Sequence, residues 1–177
     1  LRNSLGLQQV PPNLVLNGLA IVLSIYVMFP VGQKMLEAVS GVEDIGKDTG
    51  SLLSAANTAK EPLREFLVKH AHNREKEFFY KTIRKMVDED RAAELTANDF
   101  IVIVPAFTVT ELTVAFQIGF LIFLPFIVID LVVANILMAM GMMMLSPTIV
   151  SLPFKLLLFV LIDGWVKLTH GLVLSYL

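Results

Sequence analysis

Formal charges are concentrated in one segment of this 177-residue chain. Residues 33–99 hold 24 of the 30 Lys, Arg, Asp and Glu side chains, and the other 110 residues hold six. Since a charge in hydrocarbon costs at least about 2.5–3.5 kcal/mol, long stretches without charge are typical of helices that lie in a membrane. Charged residues make up 17% of the chain, against roughly 25% in an average soluble domain. The pattern predicts an integral membrane protein with one polar insert.

Composition also excludes several functional classes. The net charge of −2 and the absence of a dominant basic tract argue against nucleic-acid binding. The chain has no cysteine, which rules out disulfides, Cys-ligated zinc and thiol nucleophiles. His70 and His72 are two residues apart and would point to different faces of a helix, and no phosphate loop, dinucleotide fingerprint or Ser/His/Asp arrangement occurs. We therefore expect no enzymatic activity, no metal and no cofactor.

The predicted fold is all-α, with three segments. Residues 1–32 form a first apolar helix, residues 33–99 a polar and largely helical insert, and residues 100–177 helical hairpins with a Met-rich loop near residues 140–147. We expect further sequence before Leu1, either a signal peptide or a first membrane segment.

Prolines are expected to interrupt these helices. Pro30 suits the end of the first helix, and Pro62 suits the start of a helix in the insert. Residues 100–145 would measure about 69 Å as one straight helix, more than twice the thickness of a bilayer core. We expect this run to break, with Pro105 and Pro125 as the places where helices start or kink, which makes the helices bent.

Three charges lie inside the apolar blocks and are the first candidate site. Glu111, Asp130 and Lys155 need a partner or water in such surroundings. They can act as a proton or ion relay, or as a polar lock between helices or subunits. We expect Lys155 to pair with Glu111 or Asp130, within one chain or between chains.

Methionines form the second candidate site. Five of the eight lie within the seven positions 138–144. Three of them, Met142, Met143 and Met144, are consecutive and cannot all face one helical core. They fit a loop that presents soft, adaptable side chains to a variable partner.

These features occur together with a set of ordered motifs. The chain resembles the FliP/SctR (YscR/SpaP) family, the export gate of type III secretion systems, through the following stretches: VPPN at 10–13, PAFTVTELTVAFQIGF at 105–120, LPFIVID at 124–130, MAMGMMM at 138–144, LPFK at 152–155 and DGW at 163–165. Gln8 to Asn13 and the Gln117-Ile118-Gly119 form of the signature favour the virulence (injectisome) branch over the flagellar branch.

The resemblance implies a function and an assembly. Members pass unfolded proteins across the bacterial inner membrane, as a ring of five copies with Q-type and R-type membrane subunits and other parts of the export apparatus. The gate protrudes toward the periplasm, and the polar insert lies on that side. Met142, Met143 and Met144 correspond to a gasket that closes the pore, and Glu111, Asp130 and Lys155 to polar locks between helices or subunits.

Two other classes remain open at this level. In an ion-coupled transporter of small solutes, Glu111 and Asp130 would bind protons or cations, although no inverted repeat is evident. In a membrane anchor with a regulatory insert, the consecutive methionines would have no role. A high-order homo-oligomer with small hydrophobic partners distinguishes the gate from both.

Overall fold

The computed structural model describes residues 5–7, 11–40, 49–142 and 144–177, and every regular element within these ranges is a helix. The all-α prediction is therefore confirmed. The helices are α1 (Asn13–Ser40), α2 (Thr49–His70), α3 (Asn73–Met86), α4 (Glu89–Glu94), α5 (Phe100–Ala139), α6 (Pro147–Leu161) and α7 (Gly164–Leu174).

Two helices are long and apolar enough to cross a membrane. α1 has 28 residues and α5 has 40, with mean hydropathies of 2.2 and 2.6 over their most apolar windows. α6 and α7 taken together are also long and apolar enough to cross a membrane, although the chain bends by 56° between them. The described part of the chain thus offers two membrane-spanning helices, or three if the bent pair is one span.

The prediction that helices end, begin or break at these prolines is wrong. α1 continues through Pro30 to Ser40, α2 begins 13 residues before Pro62, and α5 is continuous through Pro105 and Pro125. A proline inside a helix removes one backbone hydrogen bond. A break in apolar surroundings would leave several backbone groups without partners, each costing several kcal/mol. In the apolar helices α1 and α5, an intact helix therefore costs less free energy than a broken one.

The chain forms two compact units. The first consists of Leu1–Ile25 and Ala115–Leu177. Its core is a cluster of Leu5, from the segment before α1, Phe126 of α5 and Phe159 of α6. The turn from α6 to α7 runs through Asp163 in the left-handed region (φ 51°). Gly164 follows against the Phe159 ring, in a space where any Cβ would clash.

The second unit, Tyr26–Val114, joins the polar insert to the first turns of α5. One face of α5 is buried there, through Val102, Ile103, Ala106 and Thr110. α2 covers this face with two contacts, the Arg64 guanidinium over the Phe100 ring at 5.1 Å and the Phe66 and Phe107 rings at 6.0 Å. Just after α2, the His72 backbone N–H donates to Thr110 Oγ1 at 3.0 Å. The start of α5 is therefore packed against protein on one face.

Candidate functional site

A buried ion pair joins α5 and α6 in the first unit. The Lys155 ammonium donates to Asp130 Oδ2 at 2.6 Å, and the Ser151 hydroxyl donates to Asp130 Oδ1 at 2.5 Å. Each carboxylate oxygen thus has its own donor, and both donors lie on α6. Ser151 and Lys155 are four residues apart, so one face of the helix presents both to Asp130.

The three side chains differ in their access to the surroundings. Ser151 is completely buried and Lys155 is 2% exposed. The Asp130 side chain is 36% exposed. The ammonium consequently depends on Asp130, whereas the carboxylate keeps one side open to water or to another molecule.

Glu111 does not belong to this pair. It lies in the second unit, where its carboxylate acts on the imidazole of His70 in α2. Burial lowers the pKa of His70 from its ordinary 6.5, Lys69 lowers it further, and Glu111 opposes both effects. Of the partners considered for Lys155, the structure brings Asp130 to it within one chain.

The Met-rich segment lies where α5 turns into α6. α5 ends in a Schellman arrangement, in which the Met142 N–H donates to the Leu137 carbonyl at 2.9 Å and the Gly141 N–H to the Met138 carbonyl at 3.0 Å. This ending needs a left-handed residue, and Gly141 supplies it with φ of 73°. Ser146 and Pro147 then begin α6.

The methionine side chains are turned outward. Met138, Met140 and Met142 are each about half exposed, and Met144 is fully exposed. Met143, the third member of the predicted gasket, lies outside the described residues. The turn therefore presents at least four thioethers away from the core of its own unit.

Open apolar grooves extend along the same unit. One, of about 570 Å³, runs between α5, α6 and α7, and Lys167 is the only charged residue among the described residues that line it. A second, of about 430 Å³, lies between α5 and α6 and reaches Met140. Large apolar side chains are also exposed along most of α1 and α5. Surfaces of this extent are typical of membrane or subunit contact.

Two polar residues of the structure were not among the sequence candidates. Ser151 had a usable signal, because it precedes Lys155 by four residues and must share its helix face. Thr110 accepts a hydrogen bond from the His72 N–H across 38 residues of the chain, and nothing in the sequence predicted this contact. No group of three or more His, Cys, Asp or Glu is placed to hold a metal within the described ranges.

The fold and the site define a helical membrane protein with a buried ion pair and an exposed turn that carries Met138, Met140, Met142 and Met144. We call this turn the methionine turn. The chain belongs to the FliP family, whose pattern matches residues 1–172.

A Xanthomonas campestris pv. glycines protein named pathogenicity-related ORF2 is 53% identical over 99% of this chain and 82% of its own length. Yop proteins translocation protein R of Yersinia pestis is 52% identical, over 99% and 81%. Flagellar biosynthetic protein FliP of Bacillus subtilis is 43% identical, over 99% and 76%. The family resemblance in the sequence and its virulence branch are thereby confirmed.

Proposed function

We propose that this chain is the pore-forming subunit of a type III protein export gate in the bacterial inner membrane, where it passes unfolded proteins. Membership of the FliP family and relatives named for translocation and secretion support an export role. The observation that carries the pore assignment is the exposed methionine turn between α5 and α6. The role is structural rather than enzymatic.

The methionines are the proposed closure. Met is unbranched and apolar, so several copies of Met142, Met143 and Met144 around one axis can close on themselves and exclude water and ions. The same flexible side chains can yield around the varied side chains of an unfolded protein. A rigid aromatic ring would select among substrates, and a charged ring would admit ions.

The ion pair of Lys155 and Asp130 is the proposed polar lock between α5 and α6. Lys155 and Ser151 hold α6 against α5 through Asp130, which fixes the direction in which the turn between them points. The open side of Asp130 is available to a donor from a neighbouring subunit. Glu111 is the corresponding polar residue at the contact between α5 and the insert.

The assembly follows the family resemblance. Five copies form a ring together with Q-type and R-type subunits, with the insert of residues 33–99 on the periplasmic side of a protruding gate. The exposed apolar surfaces of α1, α5, α6 and α7 supply the contacts to neighbouring subunits and lipid.

Alanine replacement tests this function. In a gate assembled with its partner subunits in vesicles, Met142→Ala, Met143→Ala and Met144→Ala together should make the vesicles leak ions and small dyes. Met86→Ala, at an exposed position of the insert, is the matched control and should leave them tight. A tight triple variant in a correctly assembled complex contradicts the pore assignment, and saturable uptake of one solute would favour an ion-coupled transporter.

A further inference from the structure

The methionine turn is unusually open to small reagents. Met144 is fully exposed, Met138 and Met140 are 59% and 55% exposed, and Met142 is 45% exposed. A thioether needs no deprotonation to react, so access to its sulfur largely decides how fast it is oxidised. Four accessible sulfurs at one turn are a concentrated target for an oxidant.

The reaction is a two-electron oxygen transfer. A hydroperoxide, or hypochlorous acid, gives one oxygen atom to the methionine sulfur, which becomes the sulfoxide. With hydrogen peroxide the O–O bond breaks and the remaining oxygen leaves as water. The product is polar and chiral, and methionine sulfoxide reductases return it to the thioether.

We propose that Met142 and Met144 form an oxidant-responsive site, at which sulfoxide formation opens the closure. This inference rests on the proposed function, since it requires these side chains to meet around a pore. A thioether ring excludes water by apolar contact, whereas a sulfoxide oxygen needs hydrogen-bond donors. Water drawn to the sulfoxides wets the constriction, and ions follow.

The order of reaction follows from exposure. Met144 is fully exposed in the described structure, whereas Met142 is about half covered. Met144 is therefore oxidised first. Met86 provides an internal comparison, because it is 75% exposed but belongs to α3 of the insert and not to the turn.

The experiment uses the assembled gate in vesicles, treated with increasing hydrogen peroxide. Dye efflux is measured in parallel with the sulfoxide content of each methionine by peptide mass spectrometry. Efflux should rise several-fold as Met144 and Met142 become oxidised, and a methionine sulfoxide reductase should reverse it. Met142→Leu with Met144→Leu keeps apolar side chains of similar volume and should abolish most of the rise. Met86→Leu should leave the rise unchanged.

Three results would overturn the inference. These are oxidation of Met86 at doses that spare Met144, unchanged efflux when Met142 and Met144 are fully oxidised, and an undiminished rise in the leucine variant. Alanine variants measured without peroxide distinguish failure of the oxidation inference from failure of the proposed function. If they leak while the oxidised wild type stays tight, the closure exists and only its response to oxidants is refuted.

Discussion

Lys155 carries the most deeply buried charge in the described part of the first unit, and this burial makes the ion pair more sensitive to loss of Asp130 than to loss of Lys155. Asp130→Asn leaves an ammonium that is 2% exposed without its counter-charge. Lys155→Met removes that charge and leaves a carboxylate that keeps Ser151 and has one side open. Breaking a buried pair from the side that strands a charge costs about 3–5 kcal/mol.

We therefore expect Asp130→Asn to lower the free energy of unfolding in detergent by about 3–5 kcal/mol, and Lys155→Met by clearly less. The double variant should recover part of the loss. Denaturant titration followed by circular dichroism measures all three. A larger loss in Lys155→Met than in Asp130→Asn would mean that the carboxylate, and not the ammonium, depends on the pair.

Gly164 gives a second prediction for a single residue. An added methyl group would clash with the Phe159 ring, which itself packs edge-on against Trp165 at 5.6 Å. Gly164→Ala should therefore lower the free energy of unfolding by about 1–3 kcal/mol.

Gly171 in the same helix is the matched control, since nothing lies within 4 Å of its would-be Cβ. Gly171→Ala should be neutral, or stabilising by up to about 1 kcal/mol. Equal melting temperatures for the two variants would show that the Phe159 ring moves aside without cost.

Among the helices, the break between α2 and α3 depends on a side chain from α5. Thr110 Oγ1 accepts the His72 N–H, and Thr110 is buried. Thr110→Val keeps the volume and removes the acceptor, so we expect a loss of about 1 kcal/mol and faster hydrogen exchange at residues 70–73.

Thr108→Val is the control for this change, because the exposed Thr108 hydroxyl donates to Val104 in its own helix. It should leave the exchange at residues 70–73 unchanged. If both variants exchange alike, Thr110 does not hold the break.

The contact between α2 and α5 should also respond to pH through His70. Its pKa in the folded protein lies below the ordinary 6.5, chiefly because of burial. As the pH falls the unfolded chain takes up this proton first, so the stabilisation is present above pH 6.5 and is lost as the pH falls through the lower folded value. His70→Gln should flatten the pH dependence of the free energy of unfolding between pH 7 and about pH 5.

The helices also show where sequence reasoning ends. The apolar runs and the helical class were predictable because hydrophobic pattern determines them. The continuity of α5 was not, since Pro125 favours a break locally while the apolar surroundings favour an intact backbone. The bend after α6 had a signal in Asp163-Gly164, a dipeptide typical of turns, and the left-handed Asp163 forms it.

The length of α5 has an explanation at the same scale. One straight helix of 40 residues measures about 60 Å. Its first turns pack against the insert, and residues 115–139 remain, about 37 Å of helix and enough for one crossing. A run of this length would have to be interrupted only if all of it faced lipid.

For the whole molecule, the sequence predicted which charged residues form the site but not which of them pair. The sequence singled out Glu111, Asp130 and Lys155 because charges in apolar blocks are costly, but it left both carboxylates open as partners of Lys155. Only the packing of α6 on α5 shows that Asp130 is the partner of Lys155. The convergence of Met142, Met143 and Met144 from several copies is a property of the assembly, and it stays a proposal drawn from exposure and family.

Disulfide formation between copies tests that convergence most directly. These 177 residues contain no cysteine, so Met144→Cys places a new thiol at the turn. A disulfide requires Cα atoms about 4.4–6.8 Å apart, which two copies reach only if their turns meet. In the assembled gate, mild oxidation should link Met144→Cys chains into covalent dimers, while Met86→Cys in the insert stays monomeric. An intact complex in which Met144→Cys remains unlinked would contradict a pore closed by methionines from neighbouring copies.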